Sequence, residues 1–146
     1  MLILLTGLAF AAEPNVQKGS FGLSYNLAML NLSSSNSDIL MGGQYFLAPK
    51  KAIRAAVGLD TNTDDIAIIG SYRTYMRGGA ARPFLEAGGG LIVDYDLGLL
   101  ATGQFGGEVW LLPQLSLWGS TGLSLYIENG VSMTTASSSL NLAIYF

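Results

Sequence analysis

The sequence predicts an eight-stranded antiparallel up-and-down transmembrane β-barrel, and three observations lead to it. Half of the 146 residues are hydrophobic and only 12% are charged, a balance foreign to a water-soluble domain of this length. No apolar stretch nevertheless approaches the roughly 18 to 20 residues that a spanning helix requires. After Ala11 the chain divides into eight segments in which apolar and small polar residues alternate with a period of two, separated by turn signals. Nineteen glycines against four prolines argue against both a helical bundle and a disordered linker.

The segments can be placed in order. The first runs from Phe21 to Leu30, with Phe21, Leu23, Tyr25, Leu27 and Met29 on one face, and is followed by a loop at Ser33 to Ser37. The second, Ile39 to Leu47, ends at Pro49-Lys50-Lys51. Ala52 to Leu59 and Asp65 to Tyr75 are joined through Asp60 to Asp64. Gly78-Gly79 turns the chain into Pro83 to Val93, and Leu97 to Trp110, Leu115 to Glu128 and Val131 to Phe146 complete the set. Asn129-Gly130 is a two-residue hairpin signal. The register it implies opposes Glu128 to Val131, Leu125 to Thr134 and Leu117 to Leu142, with the apolar faces of both strands on one side.

Before the first strand, Leu2 to Phe10 is a short apolar run. Ala9-Phe10-Ala11 then supplies a small-x-small cleavage pattern and Glu13-Pro14 ends the run abruptly. Residues 1–11 therefore read as an export signal lacking its basic leading segment, and 12–146 as the barrel; the alternative is a buried first strand. With no cysteine and no histidine, disulfides, thiolate metal sites and the commonest general base are absent. A net charge of −3 leaves no electrostatic footprint for nucleic acid.

Alternating strands suit either a soluble sandwich with its apolar face inside or a membrane barrel with that face outside. The polar face decides for the barrel. It consists of Gly, Ser, Ala, Thr and Asn, which suit the narrow lumen of eight strands, and most segments reach the roughly 9 to 11 residues of a tilted crossing. With both termini periplasmic, the outer loops hold Asp38, Asp60, Asp64, Asp65, Asp94, Asp96 and Glu128. The periplasmic side holds Lys18, Lys50, Lys51, Arg77 and Arg82 against Glu13 alone. Phe21, Tyr45, Phe46, Tyr72, Tyr75, Phe84, Trp110 and Phe146 collect at the periplasmic end, where an interfacial aromatic girdle is expected.

The pattern resembles the small outer-membrane barrel families typified by OmpX and by the transmembrane domain of OmpA. Arg82-Pro83-Phe84-Leu85-Glu86-Ala87-Gly88-Gly89-Gly90 is similar to a strand opening common in them. Leu142-Ala143-Ile144-Tyr145-Phe146 resembles their C-terminal signal. The resemblance implies that Leu142, Ile144, Tyr145 and Phe146 are presented to the barrel-assembly machinery. It also implies a monomer surrounded by outer-membrane lipid and lipopolysaccharide; the acidic outer loops read as solubilising charge or, alternatively, as binding divalent cations that bridge the lipopolysaccharide phosphates. The outer loops are shorter than those of OmpX, which weakens any adhesin role.

Four charges do not belong to the loops: Arg54, Arg73, Glu86 and Glu108. Alternation puts each on the lumen side, near a periplasmic turn, so they should share one level and neutralise one another, because an unpaired buried charge is costly. No catalytic, cofactor-binding or metal-ligating residue is expected, and no cofactor. The barrel enzymes of the outer membrane use a histidine, and Gly88-Gly89-Gly90 lacks the helix and lysine of a phosphate cradle; it reads as strand glycine that permits curvature. The function expected is non-enzymatic, a structural or surface-interaction role in the cell envelope. The alternatives are a narrow channel or small-molecule porin gated by the four lumen charges, and a soluble secreted β-sandwich that binds a partner.

Overall fold

A computed structural model of the chain describes residues 12–27, 38–60, 65–93, 97–127 and 131–146. Eight strands form a closed antiparallel barrel: β1 (Phe21–Asn26), β2 (Asp38–Ala48), β3 (Lys51–Asp60), β4 (Asp65–Tyr75), β5 (Ala81–Val93), β6 (Leu97–Leu112), β7 (Leu115–Ile127) and β8 (Val131–Tyr145). Each pairs with its neighbours in sequence, and β1 pairs with β8 to close the ring. Closure continues one residue past β8, where Phe146 and Phe21 exchange backbone hydrogen bonds at 2.7 and 3.2 Å. Among the described residues this seam covers β8 from Leu140 to its end, and closing the ring is what removes the free edges of an open sheet.

The short connections 49–50, 76–80 and 113–114 all lie at one end, the turn end. Pro49-Lys50 and Pro113-Gln114 are two-residue turns, and each is preceded by a register irregularity, between Phe46 and Ala48 and between Trp110 and Leu112. A proline cannot donate to the ladder, so both sit where the ladder has already ended. In the β4–β5 connection Gly79 has φ +96°, a conformation that favours glycine. At the opposite end Asp38, Asp60 and Asp65 occupy one row of the ladder.

Several expectations require correction. The first strand ends at Asn26 among the described residues, although the Leu27 N–H still donates to the Leu140 carbonyl (2.7 Å); Met29, Leu30 and the Ser33–Ser37 loop lie outside them, as do residues 1–11, 61–64, 94–96 and 128–130. In the β7–β8 pair Leu117 opposes Leu142 as expected, but Leu125 opposes Met133 rather than Thr134, and Ile127 opposes Val131. Three residues connect the strands instead of two, and the additional residue is absorbed by a bulge opposite Gly122 and Leu123.

Alternation sorts the two faces as the period of two requires. Leu23, Met41, Ile53, Ile68, Leu99 and Leu123 point outward and are about half exposed, whereas Gln44, Arg73, Glu86, Glu108, Ser116 and Asn141 point inward and are buried. The aromatic girdle divides. Phe21, Tyr45, Tyr72 and Phe146 face outward, but Phe46, Tyr75, Phe84 and Trp110 fill the lumen. The reason is parity: these four stand two positions from Gln44, Arg73, Glu86 and Glu108 on the same strands, so they share the charged face. Below them the segment 12–20 crosses the turn end. Ala12 donates to the Trp110 carbonyl (2.8 Å), Gly19 to that of Phe46 (2.8 Å), and Val16 is buried against the aromatic layer.

Rings fit inside so narrow a barrel because glycines stand opposite them. Gly22 opposes Tyr145 and Gly106 opposes Phe84, and each ring lies over its glycine. The Gly88–Gly90 stretch serves close approach as well, since a Cβ at Gly88 would fall 2.5 Å from the Gly70 carbonyl oxygen. Gly106→Ala should therefore destabilise the barrel by about 1 to 3 kcal/mol through overpacking, because its Cβ would meet both the Phe84 ring and the Gly119 carbonyl. Urea unfolding followed by tryptophan fluorescence measures this, and a neutral result would mean that the ring does not seat there.

Candidate functional site in the barrel lumen

The four strand charges meet near the turn end. β4 and β5 are registered so that Arg73 opposes Glu86 directly, and the guanidinium Nε and Nη2 both lie 2.7 Å from Glu86 Oε2. Arg54 of β3 reaches Glu86 Oε1 at 2.6 Å, and the Ser71 hydroxyl donates to the same oxygen at 2.6 Å. Both oxygens of Glu86 are thereby saturated by charged or hydroxyl donors, the strong class of hydrogen bond.

Glu108 is satisfied differently. Tyr75 donates to its Oε2 (2.5 Å) and Tyr145 to its Oε1 (2.7 Å), and Ser116 also donates to Oε1. Arg73 stands farther off, at 3.6 Å. The Tyr75 oxygen accepts in turn from Gln44 (2.9 Å). Two cations and two anions thus converge without forming two separate pairs: Arg73 bridges the carboxylates, Arg54 serves Glu86, and three hydroxyls serve Glu108.

The guanidinium groups also lie on rings. Arg73 sits 3.7 Å from the Phe84 centroid and 4.2 Å from that of Trp118, and Arg54 sits 4.3 Å from Trp118. A desolvated contact of this kind contributes about 2 kcal/mol. Beneath the charges Trp110 lies against Tyr145 (centroids 4.5 Å) and Phe46 stacks on Tyr75 (5.8 Å). A neutral charged layer therefore rests on an aromatic layer, and that layer rests on the 12–20 segment.

Arg82, expected among the turn charges, belongs to this assembly. It is buried, donating to the Gly79 carbonyl (2.9 Å) and to the Pro49 carbonyl (3.1 Å), and so ties two turns together across the mouth. Ser71, Ser116, Gln44 and Trp118 were not singled out in the sequence, and Tyr75 and Tyr145 were expected in the girdle and in the C-terminal signal rather than at the charges. The signal that finds Tyr75 is the two-residue step from Arg73; the others depend on which strands face each other across the lumen. On the loop side of the charges lies a cavity of about 80 Å³, lined by Arg54, Ser71, Glu86, Thr102, Gln104 and Trp118 among others. Serine and tyrosine hydroxyls lie against the two carboxylates as donors, and both carboxylates are buried under them rather than open to a substrate.

At the turn end of β8, Leu142 and Ile144 face outward and Phe146 is exposed, while Tyr145 is committed to Glu108.

No family model matches the chain, and no curated protein does. Among solved structures it is similar to the N-terminal β-barrel domain of Pseudomonas aeruginosa OprF, with a TM-score of 0.62 and 13% identity over 89% of this chain and 98% of that one. The two share a closed eight-stranded antiparallel barrel.

Arg73→Ala leaves two carboxylates without their shared cation, and Glu86→Ala leaves two cations without their shared anion. Either should cost about 3 to 5 kcal/mol, while the double change should cost less than the sum. Arg54 and Glu108 share no hydrogen bond, so their cycle should show the weaker coupling. Urea unfolding of all variants measures both couplings, and a zero coupling for Arg73 with Glu86 would refute the bridge.

Proposed function

We propose that this chain is an outer-membrane β-barrel without enzymatic activity, that it has a structural role in the cell envelope, and that its lumen is closed. The observation that carries the reading is the inverted distribution of polarity. Large apolar side chains stand half exposed around the outer wall, and the buried residues include two carboxylates, Glu86 and Glu108, and two arginines, Arg73 and Arg82. Water would not tolerate so extended an apolar surface on a monomer, whereas a bilayer requires it, together with a ladder that leaves no backbone group unpaired. The short turns and cationic residues then lie on the periplasmic side with both termini, and the acidic loops outside. The likeness to the OprF barrel domain supports the architecture on which this rests.

The closed lumen favours a structural role over a porin. The charged layer is neutral and hydrogen-bonded, the aromatic layer beneath it is buried, and the 12–20 segment covers both. A channel gated by Arg54, Arg73, Glu86 and Glu108 would have to break the Arg73 bridge and displace the rings as well. Fractionation of expressing cells should place the protein in the outer membrane, extractable only with detergent, and planar bilayers containing the refolded protein should show no steady conductance. A protein that stays soluble and monomeric without detergent overturns the membrane reading; sustained conductance overturns the closed lumen alone.

The C-terminal residues Leu142, Ile144, Tyr145 and Phe146 serve assembly in this reading. Phe146 offers an exposed ring while its backbone closes the barrel, so Phe146→Ala separates recognition from closure. The substitution should lower the amount of barrel assembled in cells and leave refolding in detergent intact. Unchanged assembly in cells would remove Phe146 from the signal.

A further inference from the structure

On the outer wall near the turn end, Pro83, Gly107 and Gly119 stand opposite one another in a row across β5, β6 and β7. Two of the three carry no side chain, and a Cβ at Gly107 would meet no atom within 4 Å. The row is therefore the floor of a groove of about 430 Å³. Phe105 and Thr121, opposed across β6 and β7, form one wall, and Ala81 and Val109, opposed across β5 and β6, form the other. Arg77 stands at the rim. Its Nε donates to the Ala81 carbonyl (3.2 Å), and among the described residues it forms no ion pair.

The groove is inclined. The Met76 N–H donates to the Pro83 carbonyl (2.9 Å), which continues the row to a residue just past the end of β4. Pro83 lies near the start of β5, and Gly107 and Gly119 lie well inside their strands. The groove thus begins at a cationic rim and climbs into the apolar wall, a polarity that matches a lipid with its headgroup at the membrane surface.

We propose that this groove holds one glycerophospholipid from the leaflet at the turn end, its phosphodiester on Arg77 and one acyl chain over Gly107 and Gly119. The proposal rests on the membrane reading above. With Nε engaged by Ala81, the two terminal nitrogens of Arg77 are left to grip phosphate oxygens in the forked geometry that guanidinium and phosphate favour.

The test compares the refolded wild type with Gly107→Leu, Arg77→Gln and Gly103→Leu in detergent micelles doped equally with phosphatidylethanolamine, phosphatidylglycerol and diacylglycerol, counting retained lipids by native mass spectrometry. Gly103→Leu adds the same side chain to the same strand beyond Phe105, where a Cβ also meets nothing within 4 Å. The wild type and Gly103→Leu should each retain one phospholipid. Gly107→Leu should lower occupancy about tenfold, and Arg77→Gln should remove the preference for phospholipid over diacylglycerol. Inorganic phosphate should not displace the lipid. Equal retention by all four proteins, no retention by the wild type, or a second copy of the chain in place of the lipid would overturn the proposal. Failure of the membrane reading is distinguishable, because the wild type would then remain folded and soluble with no detergent at all.

Discussion

The guanidinium of Arg73 lies fully buried between the rings of Phe84 and Trp118, with Glu86 along one edge and Glu108 within 3.6 Å of the other. A charge in that position is tolerable only while its partners stay in place, and those partners come from different strands. Glu86 comes from β5, Glu108 from β6 and Trp118 from β7, while Arg54 from β3 shares the Glu86 carboxylate. One ionic bridge thereby sets the level at which five neighbouring strands meet inside the barrel. Tyr145 of β8 and Gln44 of β2 join through Glu108 and Tyr75, which brings the seam between the first and last strands under the same constraint.

The remainder of the interior follows from the space left around that bridge. Eight strands enclose a lumen that side chains must fill, and here the filling is layered by chemistry. Rings occupy the turn end, where the opposed glycines Gly22 and Gly106 make room for them. On the loop side of the charges the lining includes Ser71, Thr102, Gln104 and Ser139 together with Ala56 and Ile69. Ser120 bonds to Gln104 (2.7 Å) and to Ser139 (2.8 Å), and a small cavity survives beside Arg54. The aromatic rings thereby close the barrel at the turn end.

The outer wall answers to a different constraint. Among the described residues no further layer of the chain covers its side chains, so their size sets the relief of the surface. Gly107 and Gly119 have no inward task, since both lie on the outward parity of their strands, and their effect is to cut a groove into an otherwise apolar wall. The turn beside it supplies Arg77, one of the cations gathered at this end of the molecule together with Lys18, Lys50 and Lys51. In the proposed membrane placement the same charge asymmetry that orients the barrel also supplies a partner for a lipid phosphate.

How much of this was legible in the sequence can be judged from particular residues. The period of two depends on local backbone geometry, so strand number, strand faces and the inward orientation of Arg54, Arg73, Glu86 and Glu108 followed from the residues alone. Applied consistently, the same period would also have sent Phe46, Tyr75, Phe84 and Trp110 inward; their clustering near one end of the strands suggested a girdle, which attends to height and neglects face. The β7–β8 register held near Leu117, where the strands pair without interruption, and slipped near Leu125 because a bulge cannot be read from alternation. Which hydroxyls would serve Glu108, the inward turn of Arg82 and the groove at Gly107 were decided only by the closed barrel. Each depends on residues far apart in the chain being set opposite one another by strand register and curvature, and neither quantity is encoded in any local stretch of sequence.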